Sequence, residues 1–163
     1  MAMKNFDIGN FSVLVSGYMY NQVPITFWGT GDDVFQWERR EPAVTDVMSV
    51  DGQMATSTSR NNSIKVVLKI NQLSPDNAVF SRMFASQQTR GLNAAIFLSF
   101  QDLMRQDLGA TGPGYIENHA PIKRGGKTVE VEWTLIFSIG HAELGDPSFA
   151  GTPAAVAELL GVG

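Results

Sequence analysis

The stretch Thr128–Ile139, TVEVEWTLIFSI, alternates with a two-residue period along its whole length. Val129, Val131, Trp133, Leu135 and Phe137 fall on one side; Glu130, Glu132, Thr134, Ile136 and Ser138 fall on the other. That pattern predicts a strand with one apolar and one mostly polar face. Two glutamates two residues apart on one face repel each other unless they meet water or cations. Ser63–Asn71, SIKVVLKIN, offers a partner, with Ile64, Val66, Leu68 and Ile70 on its apolar side and Lys65, Val67 and Lys69 on the other. If the two strands share a sheet, Lys65 and Lys69 can sit near Glu130 and Glu132. The apolar sides, with Trp133, Leu135, Phe137, Val66 and Leu68, are then the candidate core.

Composition narrows the field. A chain of 163 residues is expected to form one domain and to bury roughly two-thirds of its unfolded surface. It has no cysteine, which removes disulfides, thiol nucleophiles and thiolate metal sites and fits folding in a reducing cytoplasm. The polar start, Met1–Asn10, lacks the apolar centre of a signal peptide, and no stretch approaches the ~20 apolar residues of a helical membrane span, so we expect a soluble protein without membrane insertion. A net charge of −4 with few charged residues argues against a reader of duplex DNA, which needs a Lys/Arg stripe to displace counterions.

Working outward, Phe11–Gly17 and Val23–Gly29 read as a first strand pair, with Pro24 marking an edge strand or a late start. Val34–Arg40, with Phe35 and Trp37 alternating with Gln36 and Glu38, predicts a third strand. A hairpin is expected over about 44–62, turning at Asp51-Gly52 between Met48 and Met54. Its far arm, Ala55–Asn62, is rich in Ser, Thr and Asn and has no large apolar side chain, so the hairpin either extends into solvent or lies on another chain. A helix over about 75–89 follows, with Ser74 as N-cap, Pro75 at the first helical position, Asp76 in the first turn and Gly91 as the stop. Its apolar side carries Val79, Phe80, Met83, Phe84 and Gln87, which adds Met83 and Phe84 to the candidate core. Ala94–Gln101 predicts an inner strand, Asp107–Tyr115 a glycine-rich loop and Tyr115–Ile122 a short extended segment. Beyond Ile139, Pro153 starts a possible short helix with Val156, Leu159 and Leu160 as its apolar side; eight residues need something to dock on.

The sequence lacks a catalytic constellation. Asp32-Asp33 supplies too few oxygens for a cation loop and reads as a solvated turn. Arg124–Thr128 ends like a P-loop, but Pro121 stands where the first glycine belongs and a strand follows. His119 and His141 have no neighbouring His or Cys and read as surface histidines. Glu130 and Glu132 are spaced for a strand face rather than for acid-base work across a cleft. We therefore expect no enzyme, no catalytic or metal residues and no cofactor.

The order of Asp51-Gly52, a Ser/Thr/Asn-rich arm, SIKVVLKINQLSPDN from Ser63 to Asn77, a helix, a strand, a glycine loop and a late strand with Val131-Glu132-Trp133 resembles the tail tube proteins of contractile-tailed bacteriophages. The resemblance runs from about Phe11 to Ile139. It implies a mainly β protein with one α-helix, a β-sandwich or partly closed barrel that assembles into hexameric rings stacked as a hollow tube. Residues 1–139 would form one tail-tube-like domain and residues 140–163 a C-terminal extension. The implied role is a structural virion protein forming the conduit for genome delivery, assembled in the host cytoplasm. Implied partners are further copies of the chain, the tail sheath protein, the tape measure protein, and the baseplate and tail terminator proteins. Double-stranded DNA would pass through without specific binding. Glu130, Glu132, Lys65 and Lys69 become a candidate polar face turned either to the lumen or outward, and Met48, Asp51, Gly52 and Met54 a candidate inter-subunit hairpin. Two alternatives stand beside it: the inner tube of a phage-like particle or secretion machine, and a small-ligand-binding β-barrel with Trp28, Trp37, Phe97 and Trp133 lining a cavity.

Overall fold

The computed structural model describes residues 11–17, 20–25, 28–29, 33–102, 107–127 and 129–145, with backbone alone at 92 and 93. Among these the strands are β1 (Phe11–Gly17), β2 (Tyr20–Pro24), β3 (Phe35–Arg39), β4 (Val44–Met48), β5 (Met54–Thr58) and β6 (Ile64–Asn71). The helix α1 (Asp76–Arg90) and a 3-10 turn (Gly91–Ala94) follow, then β7 (Phe97–Asp102), β8 (Asp107–Thr111), β9 (Gly114–Asn118), β10 (Glu130–Phe137) and β11 (Gly140–Glu143). The protein is thus mainly β with one α-helix.

One sheet has the order β11-β8-β7-β1-β2 and another β3-β6-β10-β9, while β4 and β5 form a two-stranded sheet among the described residues. Neither large sheet closes on itself, so the architecture is an open sandwich rather than a barrel. Val13, Val15, Leu98 and Phe100 from the first sheet share a core with Val66, Leu68, Trp133, Leu135 and Phe137 from the second. Aromatic rings join the two layers: Phe100 lies 5.1 Å from Phe35 and 5.2 Å from Trp37 between ring centres.

β6 and β10 form the central antiparallel pair of the second sheet, in register from Glu130↔Asn71 to Phe137↔Ile64. Helix α1 covers one end of this pair. Phe80 stacks on Trp133 at 5.4 Å, and the Trp133 indole N–H donates to Asn77 Oδ1. Met83 is buried and Phe84 packs at the margin of the core. Gln87 does more than face inward: its Nε2 donates to the Ile116 carbonyl and its Oε1 accepts the Ile116 N–H, both at 2.8 Å. The helix is thereby tied to β9 by a side chain that mimics a strand partner.

The structure corrects several expectations. Asp107–Thr111 is a strand, not a loop, because Gly109 makes room there: a Cβ would run into the Phe100 ring across the pair with β7. The expected strand Val23–Gly29 is displaced; β2 ends at Pro24, and among the described residues of the later part Trp28 bridges to Ile70. β2 is an edge strand, where the missing N–H of Pro24 is tolerated. β7 starts at Phe97 after the 3-10 turn rather than at Ala94. Pro75, not Ser74, holds the N-cap position, with its ring-locked φ of −67° already helical. Ser74 Oγ still accepts the Asp76 N–H at 3.2 Å. Gly91, at a φ of +59°, ends the helix with its N–H on the Gln87 carbonyl.

The boundary at residue 139 also moves. Gly140–Glu143 is a strand of the five-stranded sheet, paired with β8, so the β domain continues at least through it. The helix expected at Pro153 lies outside the described residues, as do Asp32 and Thr128.

Candidate assembly surfaces

The side of the second sheet turned away from the core carries the charged residues. Lys69 stands directly opposite Glu132. Lys65 does not meet the glutamates of β10; its cross-strand neighbours are Glu38 on β3 and Ile136 on β10. Glu130 lies opposite Asn71, with its carboxylate over Gly29 where a Cβ would collide. This face is therefore one Lys–Glu ladder pair plus a flanking pair, not a cluster of four.

Ile136 and Val67 interrupt it. Both are buried, yet neither belongs to the main core. Ile136 sits in register between Lys65 and Tyr115. The face expected to be mostly polar thus turns apolar toward the end of β10, at the Ile136 position that the alternation had put there.

The hairpin has the opposite character. Every residue of β4 and β5 is exposed, and Val47, Met48 and Met54 show 69%, 64% and 60% of their surface to solvent. The register runs from Val44↔Thr58 to Met48↔Met54. The turn is built locally: the Gly52 N–H donates to the Ser49 carbonyl at 3.0 Å, with Val50 and Asp51 at the corners and Gly52 at a φ of +83°. Ser49 Oγ and the Gln53 N–H both donate to Asp51 Oδ1. Those bonds, the Ser49 hydroxyl first, hold the Asp51 carboxyl below its ordinary value of 3.8. At the base, Arg39 fastens the returning arm through Asn62 Oδ1 at 3.2 Å and the Asn61 carbonyl at 2.9 Å.

Beside that base lies a mainly apolar groove of about 640 Å³, lined by Arg40, Ser63, Ala95, Pro113, Tyr115 and Ile136 among others. Ser63 Oγ is buried without a hydrogen-bond partner among the described residues. The sequence offered no sign of this groove, because its walls come from segments far apart in the chain.

The aromatic residues proposed to line a ligand cavity do something else. Trp28 packs on Phe11, Trp37 on Phe100 and Trp133 on Phe80, all within the sandwich, while Phe97 lies on a separate surface beside Tyr20. None lines the groove. His119 is exposed, as expected of a surface histidine, and it also packs: its ring stands edge-on to Trp133 at 4.9 Å and to Phe84 at 5.9 Å, and its nitrogens contact Ser81 Oγ and the Ala120 carbonyl. His141 bonds Glu143 at 2.6 Å along edge strand β11. Among the described residues no three His, Cys, Asp or Glu side chains gather as metal ligands, and no helix is long and apolar enough to cross a membrane.

No sequence-family profile matches the chain, and no curated protein matches it by sequence. Similarity appears in three dimensions. A chain from the cryo-EM structure of the anti-feeding prophage (AFP) baseplate, 6-fold symmetrised, aligns with a TM-score of 0.50 at 12% identity. The two share a fold. The alignment spans 88% of this chain and 97% of the other, so the likeness extends over nearly the whole of the baseplate chain.

Proposed function

We propose that this protein is a structural subunit of the inner tube of a contractile, phage-like machine, polymerising with copies of itself into stacked hexameric rings. The observation that carries the reading is the hairpin. Its valines and methionines are exposed on an isolated two-stranded sheet. Such a ribbon is marginal in water and gains its stability on another chain. The fold shared with a chain of a six-fold symmetrised baseplate supports assembly of this kind.

On this reading the face of Lys69, Glu132 and Glu130 is the polar wall of the channel. Balanced or acidic charge there lets a polyanion slide, whereas unpaired cations would hold its phosphates. A sheath lies outside the tube and a tape measure inside it, with baseplate and terminator proteins at its ends. No catalysis is involved. A second reading keeps the same assembly as the inner tube of a phage-like particle or secretion machine that carries protein instead of DNA; the likeness to a prophage baseplate chain supports either one.

Electron microscopy of the concentrated protein tests both the assembly and the hairpin. Hollow stacked rings are expected, with Glu132 lining the channel in a reconstruction. Replacing Met48 to Met54 by a short Gly-Ser link should leave a folded protein that no longer polymerises. A wild-type protein that stays monomeric even with its assembly partners overturns the proposal, and normal tubes from the variant remove the hairpin from it.

A further inference from the structure

The hairpin tip and the groove are separate surfaces with matching chemistry. Val50 at the tip is fully exposed, and the groove is mainly apolar. The two hydrogen bonds that Asp51 receives within the turn both go to Oδ1, so Oδ2 stays available to a cation. The groove has such a cation in Arg40, whose guanidinium has no carboxylate partner among the described residues. It also has a buried polar atom lacking a partner, Ser63 Oγ, which a backbone group of an entering turn can satisfy. The hairpin cannot fill its own groove. Arg40 and Ser63 flank its base, and strands of five residues carry the tip roughly 17 Å away.

We infer that the hairpin tip of one copy, Val50 and Asp51, seats in the groove beside Arg40 and Ser63 of a second copy. The inference rests on the self-assembly proposed above and adds the receiving surface to it. Tip and groove are different patches, so the contact is heterologous: it propagates head to tail and closes into a ring or extends as a filament according to its rotation. Val50 displaces water from the groove, while the Asp51–Arg40 pair sets the direction of entry.

The chain has no cysteine, so a Val50→Cys, Ala95→Cys double variant carries only these two thiols per copy, and the two single variants, which should give no covalent dimer, exclude tip–tip and groove–groove bonds. Mild oxidation of the assembled double variant should give a ladder of covalent oligomers on a denaturing gel. Rings or tubes without a ladder overturn the docking and leave the structural role standing, whereas neither ladder nor particles overturns both. An intramolecular cross-link in an Ala95→Cys, Leu160→Cys variant would assign the groove to the chain's own C-terminal segment and also overturn the docking. Arg40→Glu provides a test without cysteines. It should raise the concentration needed for assembly about tenfold, with recovery in the Arg40→Glu, Asp51→Arg pair. Assembly of Arg40→Glu at the wild-type concentration would rule out this geometry.

Discussion

The β6–β10 pair and the β4–β5 hairpin are both antiparallel ribbons with alternating side chains, yet they lie at opposite extremes of burial. On β6–β10 the inward residues Val66, Leu68, Trp133, Leu135 and Phe137 are essentially inaccessible to solvent. On β4–β5 no residue is buried at all. The first ribbon is covered by its own chain, with a second sheet and helix α1 supplying the other half of the core. The second has no covering layer among the described residues. Strand pairing by itself therefore does not decide burial; a second layer packed on the ribbon does.

The largest effect should come from the covered ribbon. Trp133→Ala removes the ring that stacks on Phe80 and touches His119, and loses the bond to Asn77. A loss of about 3–5 kcal/mol in denaturant unfolding is expected. A loss below ~1 kcal/mol would mean that the sandwich does not depend on this pair, and the contrast with the hairpin would collapse.

Gly109→Ala sharpens the comparison at the layer facing it. The added methyl would collide with the Phe100 ring, which itself packs against Phe35 and Trp37 of the opposite sheet. Overpacking of this kind should cost about 1–3 kcal/mol, read as a lowered denaturation midpoint. An unchanged midpoint would show that β8 can move away from Phe100 freely.

The smallest effect belongs to the hairpin turn and concerns pH. Asp51 titrates below its ordinary value of 3.8 because Ser49 and the Gln53 N–H stabilise its charged form. A depressed carboxylate favours the folded turn above the unfolded pKa, and that contribution is lost as pH falls through the lowered folded value. An NMR titration of the Asp51 carboxyl should place its midpoint under 3.8, with faster exchange of the Gly52 amide once it protonates. A midpoint at or above 3.8 would remove the carboxylate from the turn. The core should not respond.

Much of this was legible in the residues. The two-residue period marked β6 and β10 and the sides of each, the Asp51-Gly52 pair marked the hairpin, and Ser74 to Gly91 framed the helix within about one residue. These signals are local: each depends on side-chain alternation, on φ or on a helix end, which a short segment carries within itself. β8 was missed because its glycine has two physical meanings. In isolation Gly109 looks like turn chemistry; against Phe100 it is the absence of a side chain where a ring must fit.

The candidate site divides along the same line. Periodicity put Lys65, Lys69, Glu130 and Glu132 on matching faces, since alternation determines sides. Only the register of the paired strands decided that Lys69 meets Glu132 while Lys65 meets Glu38 and Ile136. The groove lay beyond sequence reasoning altogether. Arg40, Ser63, Ala95, Pro113 and Ile136 have no common pattern along the chain, and their neighbourhood exists only because two sheets and the end of a helix converge there. The sequence by itself determined which stretches become strands and which sides are apolar, because those properties reside in consecutive residues. The tertiary structure decided which apolar residues are covered and which stay exposed, because burial depends on residues brought together from distant parts of the chain.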